Sequence, residues 1–314
     1  MVERLSEVWP TIVRVASVEG VVRVGASDLE DAHASLFGEW IERGHHASMS
    51  YLAKNADIRA NPRERFPWAK SVIAIIVSYS PARPDAPPDA LSHSVARYAL
   101  GDDYHDVLDR ILRKLEEALP GVKTWRYVDT GPLSDRSYAA QAGLGWIGKN
   151  GMLIHELDGS YFFIGTLLTA LENDIESELV TDRCGTCTRC LDACPTNAIL
   201  PDRTLDSGHC ISYATIEHRG SLDAHVAQHL EGNSFGCDIC QEVCPWNRRA
   251  PEGHAAFHPR DEYRATPVSD LLRFTQSDFS ALFRKSAIKR AKLAGMQRNV
   301  EALTGGGDRG ILGS

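Results

Sequence analysis

The sequence predicts an α/β protein in three parts: an N-terminal α/β domain over about 1–175, a bacterial-ferredoxin-like two-[4Fe-4S] module over about 176–250, and a short, mainly helical tail over 251–314. Three observations carry this. Segments with the apolar period of a helix alternate with short β-rich apolar runs up to about residue 175, the pattern of a layered α/β domain. All eight cysteines then fall between Cys184 and Cys244, seven of them in two runs. Beyond them the chain reads as helical and carries a cationic strip from Arg284 to Arg298.

Along the chain, Ser27 and Glu30 have the spacing of a capping box, and Leu29, Leu36, Phe37, Trp40 and Ile41 follow with helical period, predicting a helix over about 28–43. Residues 44–55, GHHASMSYLAKN, read as a loop; adjacent His45 and His46 cannot share a helix face, which argues against a metal pair. Asn61-Pro62 marks a turn just after Arg59. SVIAIIVSY, 71–79, is a continuous apolar run suited to a central strand buried on both faces. Pro81, Pro84, Pro87 and Pro88 make the next stretch a long surface loop suited to rim a site. Tyr104, Val107, Leu108, Ile111, Leu112 and Leu115 give an amphipathic helix to about 118, stopped by Pro120-Gly121. Strands are predicted at 124–128, 152–154 and 161–168, with a helix over 134–142.

The first cysteine run is Cys184-x2-Cys187-x2-Cys190-x3-Cys194-Pro195, the bacterial ferredoxin spacing, in which the fourth cysteine serves the other cluster. The second, Cys237-x2-Cys240-x3-Cys244-Pro245, has the same ending but carries Ser234 where its first cysteine would stand. The crossed pattern assigns Cys184, Cys187, Cys190 and Cys244 to one cluster and Cys194, Cys237 and Cys240 to the other, which Cys210 completes. The alternatives are two four-cysteine zinc sites or a disulfide framework. Zinc sites usually pair their ligands as CxxC doublets, and a chain this long folds without disulfides.

With 314 residues, 43% of them hydrophobic and 24% charged, the chain has room for a substantial core and a smaller module. The N-terminus lacks the pattern of a secretory or twin-arginine leader, and no segment reaches the ~18 apolar residues of a membrane helix. A cytoplasmic protein with reduced thiols is expected. The net charge of -8 argues against indiscriminate nucleic-acid binding, yet between Phe279 and Val300 there is no acid. Arg284, Lys285, Lys289, Arg290, Lys292 and Arg298 lie there, and a helix would put Lys285, Lys289 and Lys292 on one face. That face is either solvated or a phosphate-binding strip.

Two motifs mislead. AGLGWIGKNG, 142–151, matches both a dinucleotide fingerprint and nearly a P-loop, but a helix leads in and a strand leads out, the reverse of either context, so its glycines are expected to permit close backbone approach. Asp129-Thr130-Gly131 spells the aspartic-protease triplet, but that chemistry needs two such carboxylates. Asp129 follows an apolar strand, so it is either a turn residue or a ligand-facing group at a strand end.

With the cysteine runs, VDTGPLSDRSYAAQAGLGWIGKNGMLI and CISYATIEHRG in view, the chain resembles the epoxyqueuosine reductase family, which joins cobalamin to iron-sulfur clusters in tRNA modification. GHHASMSYL, DIRANP, GDDYHDVL, CGTCTRCLDACPTNAI and FGCDICQEVCPWN extend the match over about 25–250, and it continues more weakly into SAIKRAKLAGMQRNV. The resemblance implies that the N-terminal domain binds cobalamin and that the chain converts epoxyqueuosine at the tRNA wobble position to queuosine. Two clusters would pass electrons singly from an external donor to cobalt, where Co(I) acts as nucleophile or reductant. Asp129 matches the family's proton donor. Arg59, Asp129, Leu153, Ile164, Ser212, Asp238 and Gln241 match its cobalamin contacts, some through backbone groups only. No motif for a histidine-ligated cobalt is present, which suits the family.

Some members continue into helical repeats, whereas this chain stops at Ser314 after TGGGDRGILGS, so tRNA binding is expected to rest on the tail and the cluster module. The basic strip is accordingly predicted to contact tRNA phosphates. The resemblance also implies a monomer. Two competing functions are a cobalamin-dependent reductive dehalogenase, typically exported with a twin-arginine leader, and a ferredoxin-like electron carrier, which would leave some 170 N-terminal residues without a purpose.

Overall fold

Eight consecutive buried residues form the strand at the middle of the main sheet. The computed structural model describes residues 2–79 and 83–305; Pro81 of the predicted rim loop and the Gly-rich end after Gly305 lie outside them. Six strands are present among these residues: β1 (Arg23–Asp28), β2 (Ser71–Ser78), β3 (Thr124–Tyr127), β4 (Trp146–Ile147), β5 (Leu153–Ile154) and β6 (Phe162–Thr169). Four make one sheet in the order β1-β2-β6-β3, antiparallel throughout, with Ile76 opposite Ile164 and Ser71 opposite Thr169. The alternation of helices and strands therefore builds layers without parallel crossovers. The strand expected at 152–154 pairs only with β4 as a separate ribbon.

Alternate residues of β2 enter different cores, because successive side chains of a strand point to opposite faces. Ile73, Ile75 and Val77 join Ile12 and Ala16 of α1 (Trp9–Val18) and Val107, Leu108, Ile111, Leu112 and Leu115 of the helix Tyr104–Glu117. Val72, Ala74 and Ile76 face the other way, toward Tyr138 and Ala139. Burial decides the fate of α1, which is rich in β-branched residues. A buried aliphatic side chain is worth roughly 1.5–3 kcal/mol, against a few tenths per residue of unfavourable propensity.

The helix predicted over 28–43 is shorter than expected. Ser27 lies inside β1, and α2 runs over Ala34–Glu42. The strand escaped notice because Gly25 interrupts it, yet glycine is required there: a Cβ would stand 2.2 Å from the Ala142 carbonyl oxygen. The helices predicted to end near 118 and to span 134–142 are α3 (Tyr104–Glu117) and α4 (Asp135–Gln141).

The basic strip is not one helix face. The helix Gln276–Leu282 ends first, Lys285 and Lys292 have φ of 52° and 63°, and a 3-10 turn covers Ala287–Ala291 before the helix Lys292–Gly305 begins. Apolar residues at 279, 283 and 288 drive this break by folding back onto a shared core. Phe279, Phe283, Ile288, Met296 and Val300 pack with Leu91, Val95 and Leu100, and with Phe235 from the cysteine-rich region. Among the described residues no helix is long and apolar enough to cross a membrane.

Candidate active site and cluster ligands

All eight cysteines are unpaired thiols. Burial raises the Cys244 thiol, and so do Cys184 and Cys187 beside it; Cys190 is raised by burial and then by Cys184 and Cys244. Cys237 is pushed up to about 12 by burial, with Cys210 and Cys194 adding to it. The thiols of both runs lie near enough to one another to raise each other's pKa, Cys190 acting on Cys240 among them. Among the described residues no three Cys, His, Asp or Glu side chains converge on a single-ion point. Part-buried thiols that raise one another's pKa would be held as thiolates by a bound cationic core. Trp146 adds a donor: its ring packs with Cys244 and Cys184, and its indole N–H is buried without a partner.

The glycine-rich segment that mimicked a P-loop serves the cysteine loops. Lys149 Nζ donates to the carbonyl oxygens of Gly185 (2.7 Å) and Cys187 (2.9 Å), fixing the first loop, and Asn150 is buried facing the Cys240 carbonyl. Its glycines do permit close approach, but to the chain itself: a Cβ on Gly145, at φ 151°, would lie 2.3 Å from the Ile154 carbonyl oxygen. Lys149 went unassigned at the sequence level because its partners are backbone carbonyls, which carry no side-chain signature. Lys149→Met is expected to release iron from the first set roughly tenfold faster under a chelator, with the second set retained, as followed by visible absorbance and iron content.

Asp129 sits at the tip of the turn after β3 with φ 57°, and its side chain is 68% exposed. The Thr130 N–H bonds back to the Val128 carbonyl, and Gly131 lies so close to Tyr127 that a Cβ would reach 1.7 Å from the ring. Arg59 braces the turn by donating to the carbonyl oxygens of Gly131 (3.2 Å) and Leu133. Its own Nε is buried without a partner, and burial lowers its pKa. Tyr104 Oη donates to Asp129 Oδ2 at 2.6 Å, and His105 Nε2 lies 3.8 Å from the same oxygen. Burial pushes the Asp135 carboxyl up to about 6, and Asp129 adds to the effect.

Asp135 bonds the Thr166 hydroxyl at 3.0 Å, which ties this cluster of acids to the α4-facing side of β6. Ile164, half-buried, lies two residues back on that side and packs with the core of Leu153, Ile76 and Phe162. Before the strand, Ser160 donates to the Gln241 side-chain oxygen at 2.9 Å. Asp238, 2% exposed, accepts from the Arg97 backbone N–H at 2.7 Å, and burial raises its pKa. Burial lowers the Arg136 pKa, against the nearby Asp129 and Asp135 carboxylates. Ser160, just before β6, is thus bonded to Gln241, next to Cys240, and Thr166 of β6 to Asp135, beside Asp129. Ser212 lies in the first turn of the helix Ile211–Ile216, directly after Cys210.

The six cations of the strip divide by environment. Lys289, Arg290 and Lys292 line a cleft of about 660 Å³ with Arg219, Tyr51 and Glu217. Arg290 is held bidentately by Glu217 at 2.7 Å and lies 5.8 Å over the Tyr51 ring. Arg298 is committed internally, donating to the carbonyls of Ala214, His218 and Gly220 at 2.8–2.9 Å. Arg284 and Lys285 are exposed, and their carbonyls accept from Arg260.

Comparison with known proteins agrees with this geometry. A family model described as "Epoxyqueuosine reductase QueG, DUF1730" matches residues 59–130, and one described as "4Fe-4S double cluster binding domain" matches 183–247. The epoxyqueuosine reductase of Leadbetterella byssophila is 38% identical over 282 residues, 88% of this chain and 91% of that protein. That of Synechocystis sp. is 40% identical over 294 residues, 90% of this chain and 99% of that protein. A crystal structure of epoxyqueuosine reductase with a tRNA-Tyr epoxyqueuosine-modified stem loop superposes with a TM-score of 0.85 at 30% identity, covering 95% of this chain and 81% of that one.

Proposed function

The chain belongs to the epoxyqueuosine reductase family, and from that premise we propose that it reduces the epoxide of tRNA-bound epoxyqueuosine to the cyclopentene of queuosine. The observation that supports this reading is that the β6 segment links Gln241, next to Cys240, with Asp135, beside the strand-end carboxylate Asp129. The reaction adds two electrons and two protons and releases the epoxide oxygen as water. When bound, two [4Fe-4S] clusters supply single electrons at low potential and cobalamin supplies a low-potential cobalt that passes them to the substrate.

The residues present fit such a cofactor. Ile164 and Leu153 offer apolar contact, and the orphaned Nε of Arg59 has a donor to give. Asp238 and Gln241, which flank Cys240 and bond to each other, would hold the cofactor's cluster-side edge. Asp129 holds the proton for the departing oxygen, and Arg59 and Gly131 keep the turn that presents it. A dividing line near residue 175 between the catalytic and cluster regions, and another near 250, complete the proposal, as do a monomeric state, an external low-potential donor and a cytoplasmic setting. The test is anaerobic turnover of epoxyqueuosine-tRNA by the reconstituted protein, followed by nucleoside mass. Loss of one oxygen is expected; no conversion by protein loaded with cobalamin and both clusters would reject the proposal.

The tRNA phosphates are proposed to run along the cleft of Lys289 and Lys292, with Arg284 and Lys285 beyond it. The double change Lys289→Gln and Lys292→Gln is expected to weaken tRNA binding and to reduce the slope of log K against log salt by about 0.7–0.9 per lost contact. Arg298→Gln is expected to act instead through stability, because three carbonyls lose their donor at once. Binding titrations over a salt series separate the two, and a double variant with an unchanged slope removes the cleft from the proposed path.

A further inference from the structure

We propose that His105, oriented by Asp103, is a positioning residue that reloads Asp129 with protons drawn from the cavity behind its turn. The inference rests on Asp129 being the proton donor. Asp103 caps α3, its Oδ1 accepting from the His105 backbone N–H at 3.1 Å. The same oxygen accepts from His105 Nδ1 at 2.8 Å. A carboxylate there fixes the proton on Nδ1, so Nε2 is the nitrogen left to exchange. Nε2 lies 3.8 Å from Asp129 Oδ2, a gap that a small closure of the turn or one water spans. Tyr104 holds Oδ2 in place at 2.6 Å, and its ring is clamped between Phe163, at 4.5 Å and 5°, and His105, at 4.0 Å.

Behind the turn lies a cavity of about 810 Å³, lined by His105, Thr130 and Gly131 and open to solvent. Asp103 and Asp106 of α3 and Asp129 of the turn face the imidazole, while Asp109, Arg126 and Arg65 line the cavity beyond it. Arg126 is tied to Asp109 and Glu116. Burial opposes a charge on His105, but the Asp103 bond and the neighbouring carboxylates outweigh it and raise its pKa. The balance is simple. Asp129 gives its proton to the departing oxygen; the Nε2 proton of the imidazolium moves to Asp129 Oδ2; cavity water returns a proton to Nε2. No electrons pass through the relay, and both protons of the reaction come from solvent.

His105→Gln is expected to lower kcat roughly 10²-fold, with KM for tRNA and the cluster spectrum unchanged. His105→Gly should recover turnover with added imidazole, and substituted imidazoles should rescue in order of basicity, a response that a merely structural role does not give. Asp103→Asn should move the alkaline limb of the kcat profile to lower pH, because the charged imidazole loses its partner. If Asp129→Asn is inactive while His105→Gln keeps the wild-type kcat and pH profile, the relay is overturned and the role of Asp129 stands. Loss in His105→Gly without rescue by any imidazole also overturns it. Full activity in Asp129→Asn would overturn the reading on which the relay depends.

Discussion

Replacing Cys210 with serine is expected to leave about four irons per chain instead of about eight and to abolish turnover, with the first cluster retained. Cys210 lies outside both cysteine runs, and the second run lacks its own first cysteine. The structure explains why nothing nearby can substitute. Ser234, at the missing position, is fully buried and turned toward Ser94, with their hydroxyls 2.8 Å apart and its N–H on the Ser94 carbonyl at 2.7 Å. Its carbonyl accepts from Asn299, which anchors it further. Cys210 instead lies near enough to Cys237 and Cys240, beside Gln241, to raise their thiols. Losing that proposed ligand set breaks the two-cluster electron route, so activity is expected to vanish although half of the iron remains. Iron analysis with electron paramagnetic resonance measures this directly; a Cys210→Ser protein with full iron and full turnover would remove Cys210 from the ligand set. Adding Ser234→Cys to it is not expected to restore the cluster, because that side chain faces the wrong way.

Asp129→Asn is expected to reduce kcat by roughly 10²–10⁴-fold while tRNA affinity and the visible spectrum stay near wild type. The choice of asparagine matters. At φ 57° the backbone is in the left-handed region, which Asn and Asp tolerate and most other side chains do not, so the turn and the Arg59 brace survive the change. Asn also still accepts from Tyr104, but it has no proton to give. Single-turnover assays under saturating reductant isolate the chemical step. A wild-type rate in this variant would transfer the donor role to another group.

Much of the site was legible because its signals are local or arithmetical. A double-cluster domain depends on thiol count and spacing, so it was legible in the cysteine runs without any distance. The β2 strand and α3 were legible for a similar reason: a run buried on both faces must be apolar throughout, and a helix buried on one side repeats every three to four residues. Ser27 and Glu30 misled because a capping box is only four residues long. Ser27 instead sits in β1 opposite Val72, with Ala26 opposite Ile73 and Asp28 opposite Ser71, a ladder that no local rule detects. The cationic strip misled similarly, since helical spacing between lysines says nothing about Phe283 and Ile288 pulling the backbone inward.

By itself, the order of residues identified the double-cluster cysteine pattern, which segments are apolar enough to be central, and, through resemblance, which carboxylate is matched to the chemistry. Only the tertiary structure decided that Lys149 serves the first cysteine loop, that Arg298 is structural while Lys289 and Lys292 stay at the surface, and that Tyr104 and His105 converge on Asp129. The physical reason is that ligand chemistry and burial are properties of residue types, whereas hydrogen bonds to distant carbonyls and carboxylates exist only once segments far apart in the chain have been packed together.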